Sequence, residues 1–287
     1  MNGIFSGEKF IRNYFFNLFG LHIFRIVVSQ LFYTIRNAKL FRKLSDEQKT
    51  LRKDGIIFIN NFLSEEEFES VKNEFENSKN FVGVDSSIEE GDSIWSRRKF
   101  NRSQYMVMPG TKKLLLNSRL LELIYAGESR IVPISAVWFD TISYPEKKNE
   151  GKHQEASAEL LHSDIFYPSI KVFYFPYDVK DEDGPLNFSP GSHHFTLRRL
   201  WLEYRKSIEL SKTKDDDYLH VNDVEKEFLK LKNIKAIVPA NTLVVMNGLA
   251  FHRRGDAIVG AKRSVVFTQF RYNPFSLKTK IVSPLKK

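Results

Sequence analysis

The stretch "LHSDIFYPS", Leu161 to Ser169, decides the fold prediction because it sets a histidine and a carboxylate one residue apart in an apolar run. Side chains alternate faces along a β-strand, so His162 and Asp164 point the same way and Ser163 points away. An imidazole beside a carboxylate is either a surface coincidence or two thirds of a metal site. The tripeptide alone is a weak signal, since such spacings arise by chance.

Composition narrows the donors that any metal site here could use. The chain has 287 residues, 42% of them hydrophobic, with 25 Phe and no Cys. That is ample for a packed core. The lack of Cys excludes disulfides, Cys-ligated zinc, iron–sulfur clusters and thiol catalysis. A metal must therefore rely on His and carboxylate ligands, which suits iron, manganese or zinc.

The net charge of +9 is concentrated at the N-terminus. Residues 1–44 hold seven basic residues against one acidic residue, together with eight Phe. Gly20 divides them into two helical patterns. The second has a polar stripe opposite a broad apolar face: His22, Arg25, Ser29, Arg36 and Lys43. Arg25 interrupts the longest apolar run, so we expect neither a transmembrane helix nor a signal peptide.

Two interpretations of this segment stay open at the level of sequence. A pair of amphipathic helices could lie in an anionic membrane surface. Alternatively, the same apolar face could pack on the rest of the protein or on a second subunit, since a wide apolar stripe must be buried somewhere. We therefore divide the chain into residues 1–44, a basic, Phe-rich helical segment for membrane or partner association, and a domain over residues 45–287.

Within the domain, the pattern predicts β-strands supported by helices. "SDEQKTLRKDG" predicts a helix ending at Gly55, "IIFINNF" a strand, and Ser64 with Glu67 a capping box that opens a second helix. The polar stretch 82–96 is expected to be a loop. The other expectations are strands at 103–108, 131–144, 160–176, 185–188, 235–246 and 263–272, a helix near 112–125, and a helical insertion at 194–232 that could act as a lid.

Two downstream motifs give the His-x-Asp pair its meaning. "DGPLNFSPGSHH", Asp183 to His194, predicts a strand bracketed by Gly-Pro and Pro-Gly turns. In "NTLVVMNGLAFHRRGDAIVGAKRSVVFTQFRY", His252 ends one strand and Arg263 opens the next, eleven residues later. From Leu44 to Tyr272 the chain resembles the phytanoyl-CoA dioxygenase-like family of Fe(II)/2-oxoglutarate-dependent oxygenases.

The resemblance implies a fold, a cofactor set and a reaction. The fold is mainly β: a double-stranded β-helix, or cupin-like jelly-roll, with N-terminal helices and a helical insertion. His162, Asp164 and His252 are implied as ligands of Fe(II), and Arg263 as the residue that binds the far carboxylate of 2-oxoglutarate. A guanidinium suits that carboxylate because it is a planar, permanently charged fork. No catalytic residue is expected beyond the metal centre.

With O2, such an enzyme would release succinate and CO2 and hydroxylate an aliphatic C–H. Halogenating relatives lack the carboxylate ligand. Because Asp164 is present here, we expect hydroxylation and not halogenation. A second cosubstrate contact is expected from strand 131–144, with Tyr144 as a candidate that no motif fixes. His193 and His194 are expected to be structural or near the entrance, and His22, His153 and His220 at the surface. Two roles remain possible for Arg253, Arg254 and the basic cluster at 96–102: they could contact the substrate, or they could simply face solvent.

Substrate and location are the least determined features. Relatives act on acyl-CoAs, small metabolites and the Kdo sugar of lipopolysaccharide, so we expect a small-molecule, lipid or envelope glycolipid substrate. We expect a cytoplasmic protein with residues 1–44 as the candidate contact with the inner face of a membrane. The alternative is a non-redox metal-binding jelly-roll for sugar binding or structure. Nucleic acid is not an expected partner because no recognised module is present, and the sequence does not indicate an oligomeric state.

Overall fold

The computed structural model describes residues 7–37, 44–128, 134–146, 160–212 and 218–275. The helices of this part are α1 (Tyr14–Leu18), α2 (Leu21–Asn37), α3 (Asp46–Asp54), α4 (Glu65–Glu76), α5 (Arg102–Tyr105), α6 (Pro109–Leu115), α7 (Ser118–Glu128), α8 (Leu197–Leu210) and α9 (Asp223–Leu229). The strands are β1 (Ile56–Ile59), β2 (Val84–Glu90), β3 (Ser93–Asn101), β4 (Ala136–Ser143), β5 (His162–Ser163), β6 (Ile170–Phe175), β7 (Leu186–Phe188), β8 (Leu219–His220), β9 (Ile234–Lys235), β10 (Thr242–Asn247), β11 (His252–Arg254) and β12 (Lys262–Phe270).

Two antiparallel sheets face each other. The larger has the order β1-β10-β6-β12-β4-β3-β2 and the smaller the order β8-β5-β11-β7-β9. Successive core strands alternate between the sheets: β4 lies in the larger, β5 in the smaller, β6 in the larger, β7 in the smaller. This alternation winds the chain into the double-stranded β-helix that the sequence predicts. A set of buried apolar residues that includes Phe175, Phe188 and Val244 fills the space between the sheets.

Helices cover the outer face of the larger sheet. A second core, including Leu51, Val71 and Leu123, lies between that face and helices α3, α4, α6 and α7. The predicted capping box is confirmed, since Ser64 caps α4 with Glu67, and a second one, not predicted, is formed by Ser45 and Gln48 at the start of α3. Each cap is worth about 1 kcal/mol to its helix.

Gly55 ends α3 as the sequence predicts. Its φ of 77° lies in the left-handed region, which glycine adopts without strain. A Cβ at this position would lie 2.5 Å from Nδ1 of His193. The glycine therefore both stops the helix and lets the "PGSHH" turn pack against it.

Two local predictions are wrong. The polar stretch 82–96, expected to be a loop, contains β2 and the first four residues of β3, which pair in a hairpin at the edge of the larger sheet. Most side chains of β2 are exposed, so this strand has no alternation of apolar and polar residues to reveal it. The strand expected at 103–108 is instead the short helix α5, capped by Asn101, and the chain that leads to Pro109 at the start of α6.

The N-terminal helices lie with their polar side inward. His22, Arg25 and Ser29 of α2 are fully buried, whereas Phe24 and Leu31 on the opposite face are about half exposed. The Ser29 hydroxyl donates to the carbonyl of Ile26 within the helix. α1 and α2 both pack on α8 of the insertion. The amphipathic pattern is therefore real, but its apolar side is the one that faces outward.

The insertion at 194–232 is helical, as expected. It carries α8 and α9, and between them the short strand β8, which pairs with β5. No helix in the described part of the chain is long and apolar enough to cross a membrane.

Candidate metal centre

The three predicted ligands meet at one point. β5 and β11 are neighbours in the smaller sheet, and His162 pairs directly with His252. One ligand atom from each of His162, Asp164 and His252 lies within 4.8 Å of the other two, and all three residues are buried. Oδ1 of Asp164 is 3.4 Å from Nε2 of His162 and 3.6 Å from Nε2 of His252. Within the described residues this is the only such cluster of three.

The backbone sets the tautomer of both imidazoles. Nδ1 of His162 donates to the carbonyl of Leu160 at 2.7 Å, and Nδ1 of His252 donates to the carbonyl of Ala250 at 2.9 Å. A carbonyl only accepts, so each proton sits on Nδ1 and each Nε2 lone pair faces the other ligands. This is the form that binds a metal, with the ring orientation already fixed.

Electrostatics keep the cluster in its ligating state. Burial, together with the adjacent Lys171 ammonium, holds the pKa of His252 well below its ordinary value. Burial raises the pKa of Asp164, but Lys171 and His252 outweigh that effect, so this pKa lies well below its usual range. His252 is thus a neutral imidazole, and Asp164 beside it is an ionised carboxylate.

Two basic residues that the sequence analysis missed share the carboxylate. The Lys171 ammonium donates to Oδ2 of Asp164 at 2.6 Å and to Nε2 of His252 at 2.9 Å. Arg271 donates to the same Oδ2 at 2.6 Å. The Lys171 ammonium therefore contacts one of the three ligand atoms, Nε2 of His252, and the second oxygen of the carboxylate. The donor set fits a divalent metal, since two imidazoles and one carboxylate suit iron.

Arg263 lines the same cavity. It opens β12, is buried, and donates through Nη1 to the carbonyl of Gly184. Burial lowers its pKa to about 10, so it stays charged at neutral pH. Its Nε is buried and has no hydrogen-bond partner among the described residues. A buried guanidinium with an unused donor fits a carboxylate ligand.

Gly184 makes this arrangement possible. Its φ is +68°, and a Cβ there would lie 2.6 Å from the hydroxyl oxygen of Tyr144. Tyr144 is buried just after β4. The predicted Gly-Pro turn therefore presents its carbonyl to Arg263 beside the tyrosine suggested as a second cosubstrate contact.

The cavity has a volume of about 450 Å³ and a strongly basic lining. Alternate residues of β12 and β6 face into it, with Phe173, Val265 and Phe267 as its apolar wall. Six basic side chains and three acidic ones line it: Arg97, Lys171, Arg253, Arg254, Arg263 and Arg271, against Glu90, Asp140 and Asp164. Arg97, from the cluster at 96–102, is therefore a cavity residue and not only a solvated one.

The other histidines fall into different roles. His193 and His194 are structural: their Nε2 atoms donate to the carbonyls of Arg52 and Lys53 at the end of α3. The surface prediction is wrong for His22, which is fully buried and bonded to Glu203. His220 is half-buried, with its ring centroid 5.6 Å from that of His162. His153 lies outside the described residues.

Comparison with known proteins supports the fold. No protein-family model matches the chain, and no curated protein matches it. Among solved structures, the epimerase SnoN in complex with Fe3+, alpha ketoglutarate and nogalamycin RO is 16% identical, covering 87% of this chain and 94% of that one, with a TM-score of 0.50. The alpha ketoglutarate-dependent carbocyclase SnoK from nogalamycin biosynthesis is 13% identical over 80% of this chain and 84% of that one, with a TM-score of 0.50.

EctD from S. alaskensis, in its apoform, is 12% identical, covers 83% of this chain and 82% of that one, and has a TM-score of 0.51. At these identities the likeness concerns the fold. The fold expected from the sequence resemblance is thereby confirmed: the chain has the double-stranded β-helix that these structures share.

Proposed function

We propose that this protein is an Fe(II)- and 2-oxoglutarate-dependent dioxygenase of the phytanoyl-CoA dioxygenase-like type that hydroxylates an aliphatic C–H. The observation that carries this proposal is the placement of two oriented imidazoles, one carboxylate and a buried arginine with an unused donor around one cavity. Two proteins that share the fold use the same cosubstrate: the SnoN structure contains alpha ketoglutarate, and SnoK is an alpha ketoglutarate-dependent enzyme.

Each residue then has a defined part. Nε2 of His162, Oδ1 of Asp164 and Nε2 of His252 would hold the iron. Arg263 would bind the C5 carboxylate of 2-oxoglutarate. Bound iron, 2-oxoglutarate and O2 together supply the oxidising power for C–H hydroxylation, with succinate and CO2 as co-products. Phe173 and Phe267 belong to the apolar wall of the same cavity, and an apolar wall would strengthen the Arg263–carboxylate interaction.

Anaerobic titration of the protein with Fe(II) and 2-oxoglutarate tests this proposal. We expect a metal-to-ligand charge-transfer band in the wild type, no band in His162→Ala, and a much weaker affinity for 2-oxoglutarate in Arg263→Ala. His194→Ala and Arg119→Ala are matched controls outside the cavity and should behave as the wild type does. If the band is absent, or Arg263→Ala titrates like the wild type, the proposal fails. Metal binding without O2-dependent succinate release would instead indicate the non-redox jelly-roll.

We also propose that the protein works at an anionic membrane surface on an envelope glycolipid, such as the Kdo sugar of lipopolysaccharide, or on a lipid. Support comes from the outward apolar side of α1 and α2, here called the N-terminal apolar face, which consists of Phe15, Phe16, Leu18, Phe19, Phe24, Val27, Leu31, Phe32 and Ile35. All are exposed, Phe19 by 84%. A surface of this size is unusual on a protein that has no partner.

The buried side of α2 fixes that face outward. His22 bonds to Glu203, and Cζ of Arg25 lies 3.9 Å from the ring centroid of Phe166. Rotating the helix to bury its apolar side would break both contacts. The segment 1–44 is also strongly basic. An exposed apolar face on a segment of net positive charge matches an anionic bilayer surface.

Vesicle flotation tests the membrane part. We expect the wild type to bind vesicles of phosphatidylglycerol and phosphatidylcholine, and Phe19→Glu with Leu31→Glu to bind about tenfold more weakly because charged side chains oppose insertion. Val82→Glu with Ile258→Glu changes equally exposed apolar residues elsewhere and should bind normally. Equal binding by both double variants, or self-association through this face without vesicle binding, would overturn the membrane proposal.

A further inference from the structure

Lys171 contacts an atom that a bound metal would need as a ligand. Its ammonium bonds to Oδ2 of Asp164 and to Nε2 of His252, and Nε2 of His252 would ligate the metal together with Nε2 of His162 and Oδ1 of Asp164. An ammonium and a divalent cation cannot share the Nε2 lone pair of His252, because like charges at that distance repel strongly. Metal binding must therefore move Lys171 away from His252 and further into the cavity. Arg271 can stay on Oδ2 of Asp164, since Oδ1 is the oxygen nearest both imidazoles.

Among the described residues that line the cavity, each of the other carboxylates already has a basic partner. Asp140 is held by a bidentate pair with Arg97 at 2.9 and 3.0 Å. Glu90 is paired with Arg254 at 2.8 Å. Asp164, the third acidic group of the lining, would by then serve the metal and Arg271. A buried ammonium without an anion is costly, so the loaded site calls for an anionic ligand.

The cosubstrate does not meet this need. A divalent metal and the dianion 2-oxoglutarate cancel each other, so loading the site with both leaves the basic excess of the cavity lining unchanged. Arg263 lies near the start of β12 and Arg271 directly follows its last residue, eight positions later, which is about 26 Å between Cα atoms in an extended chain. The cosubstrate carboxylate at Arg263 and the Lys171–Arg271 pair are therefore separate binding points.

We propose that the substrate is an acid whose carboxylate or phosphate group binds Lys171 and Arg271 beside the metal ligands. This inference rests on the proposed oxygenase function and names the substrate class of the same site. The group lies next to the metal, so the C–H that is oxidised belongs to a carbon close to the acidic group. The partial exposure of Arg271 lets the anion enter from the open end of the cavity.

Anion binding to the loaded protein tests the proposal. The wild type is saturated anaerobically with Fe(II) and 2-oxoglutarate, then titrated by calorimetry with methyl phosphate, with acetate, and with acetamide as a neutral control. We expect at least one of the two anions to bind with a millimolar dissociation constant. The anion that binds more tightly indicates whether the acidic group of the substrate is a phosphate or a carboxylate. Acetamide should not bind. Lys171→Met and Arg271→Gln should each weaken anion binding at least about tenfold, the effect of losing one close charge pair. Lys235→Met and Arg119→Gln, which remove basic residues outside the cavity, should bind as the wild type does.

A second readout separates this role from a structural one. Lys171 competes with the metal for Nε2 of His252, so Lys171→Met should bind Fe(II) more tightly than the wild type, whereas a residue needed only for packing would weaken the site when replaced. The proposal is overturned if no anion binds, if Lys171→Met binds anions normally, or if that variant loses affinity for 2-oxoglutarate instead. A missing charge-transfer band in the wild type overturns the proposed function itself; an intact band without anion binding overturns only this inference.

Discussion

Two buried clusters of this protein contain nearly the same types of side chain but have different roles. In the cavity, Asp164 lies among two histidines, Lys171 and Arg271. Beneath the N-terminal helices, Glu203 accepts from Lys9 at 2.9 Å, from His22 at 3.0 Å and from Arg199 at 3.3 Å. We call the second group the Glu203 cluster. Each cluster has one ionised carboxylate, basic partners and an imidazole.

They differ in what the carboxylate leaves free. Side chains in the Glu203 cluster are almost completely buried, and both carboxylate oxygens are taken by basic groups from three elements of the chain. The Asp164 cluster opens on a cavity, and its imidazole Nε2 atoms and carboxylate converge on a common point. Buried charge by itself is therefore no sign of a binding site. A binding site is indicated instead by ligand atoms whose lone pairs converge beside an open cavity.

The largest effect we expect is on folding, from Glu203→Gln. The neutral amide would leave Lys9 and Arg199 buried without a counter-charge, and breaking a buried ion pair from one side costs about 3–5 kcal/mol. Urea unfolding of the variant and the wild type measures this loss. Glu225→Gln is a matched control on α9, where the partners Arg205 and Lys206 are more exposed. A loss no larger than in that control would contradict the difference between the clusters.

Asp164→Asn should show the opposite balance. The Arg271 side chain is 36% exposed, so water screens part of the charge that this variant leaves unpaired, and the loss of unfolding free energy should be smaller than for Glu203→Gln. Affinity for Fe(II) should fall by at least about 100-fold, the upper range for disturbing a partner of a metal ligand. Equilibrium dialysis against Fe(II) under nitrogen measures it. An affinity within a few-fold of the wild type would mean that this carboxylate is not a ligand.

The Glu203 cluster should also make the stability of the protein depend on pH, through His22. Burial lowers the pKa of His22 below its ordinary value even though Glu203 favours the charged form. A lowered histidine pKa means that the unfolded state binds more protons, so stability is full above the unfolded pKa of about 6.5 and falls as the pH drops below it. The slope from this one group is at most about 1.4 kcal/mol per pH unit.

Unfolding of His22→Gln at several pH values between about 7 and 5 tests this. The variant should be less stable at pH 7 and lose less stability on acidification than the wild type. Exposed His194→Gln is the control and should keep the wild-type slope. Parallel slopes for the wild type and His22→Gln would show that this residue does not stay neutral in the folded protein.

The smallest effect probes the link between the clusters. Ser163 lies between the ligands His162 and Asp164 but points the other way, where its hydroxyl accepts from Arg199 at 3.0 Å and donates to the Leu249 carbonyl at 2.9 Å. Ser163→Ala should cost about 1 kcal/mol, the net worth of such a hydrogen bond. Fe(II) affinity should change little. A change as large as that of Asp164→Asn would show that the Glu203 cluster helps to position the metal ligands.

Some of the site was predictable because it depends on local geometry. The period of two in "HSD" places His162 and Asp164 on one face wherever the strand goes, and the Gly-Pro turn fixes the bend that presents Gly184 to Arg263. Helices α3 and α4 were predictable for the same reason, since capping is a matter of a few neighbouring residues. The β2–β3 hairpin was missed because exposed edge strands lack the apolar alternation that marks a strand.

The sequence by itself determined the ligand types, the strand that carries the first two, and the amphipathic character of the N-terminal helices. The tertiary structure alone decided that Lys171 and Arg271 share Asp164, that His22 is buried with Glu203, and that the apolar side of α2 faces outward. The reason is physical: periodicity and capping act over a few residues, whereas the partner of a charge is set by which distant elements pack together. A polar stripe looks the same in sequence whether it meets water or a buried carboxylate.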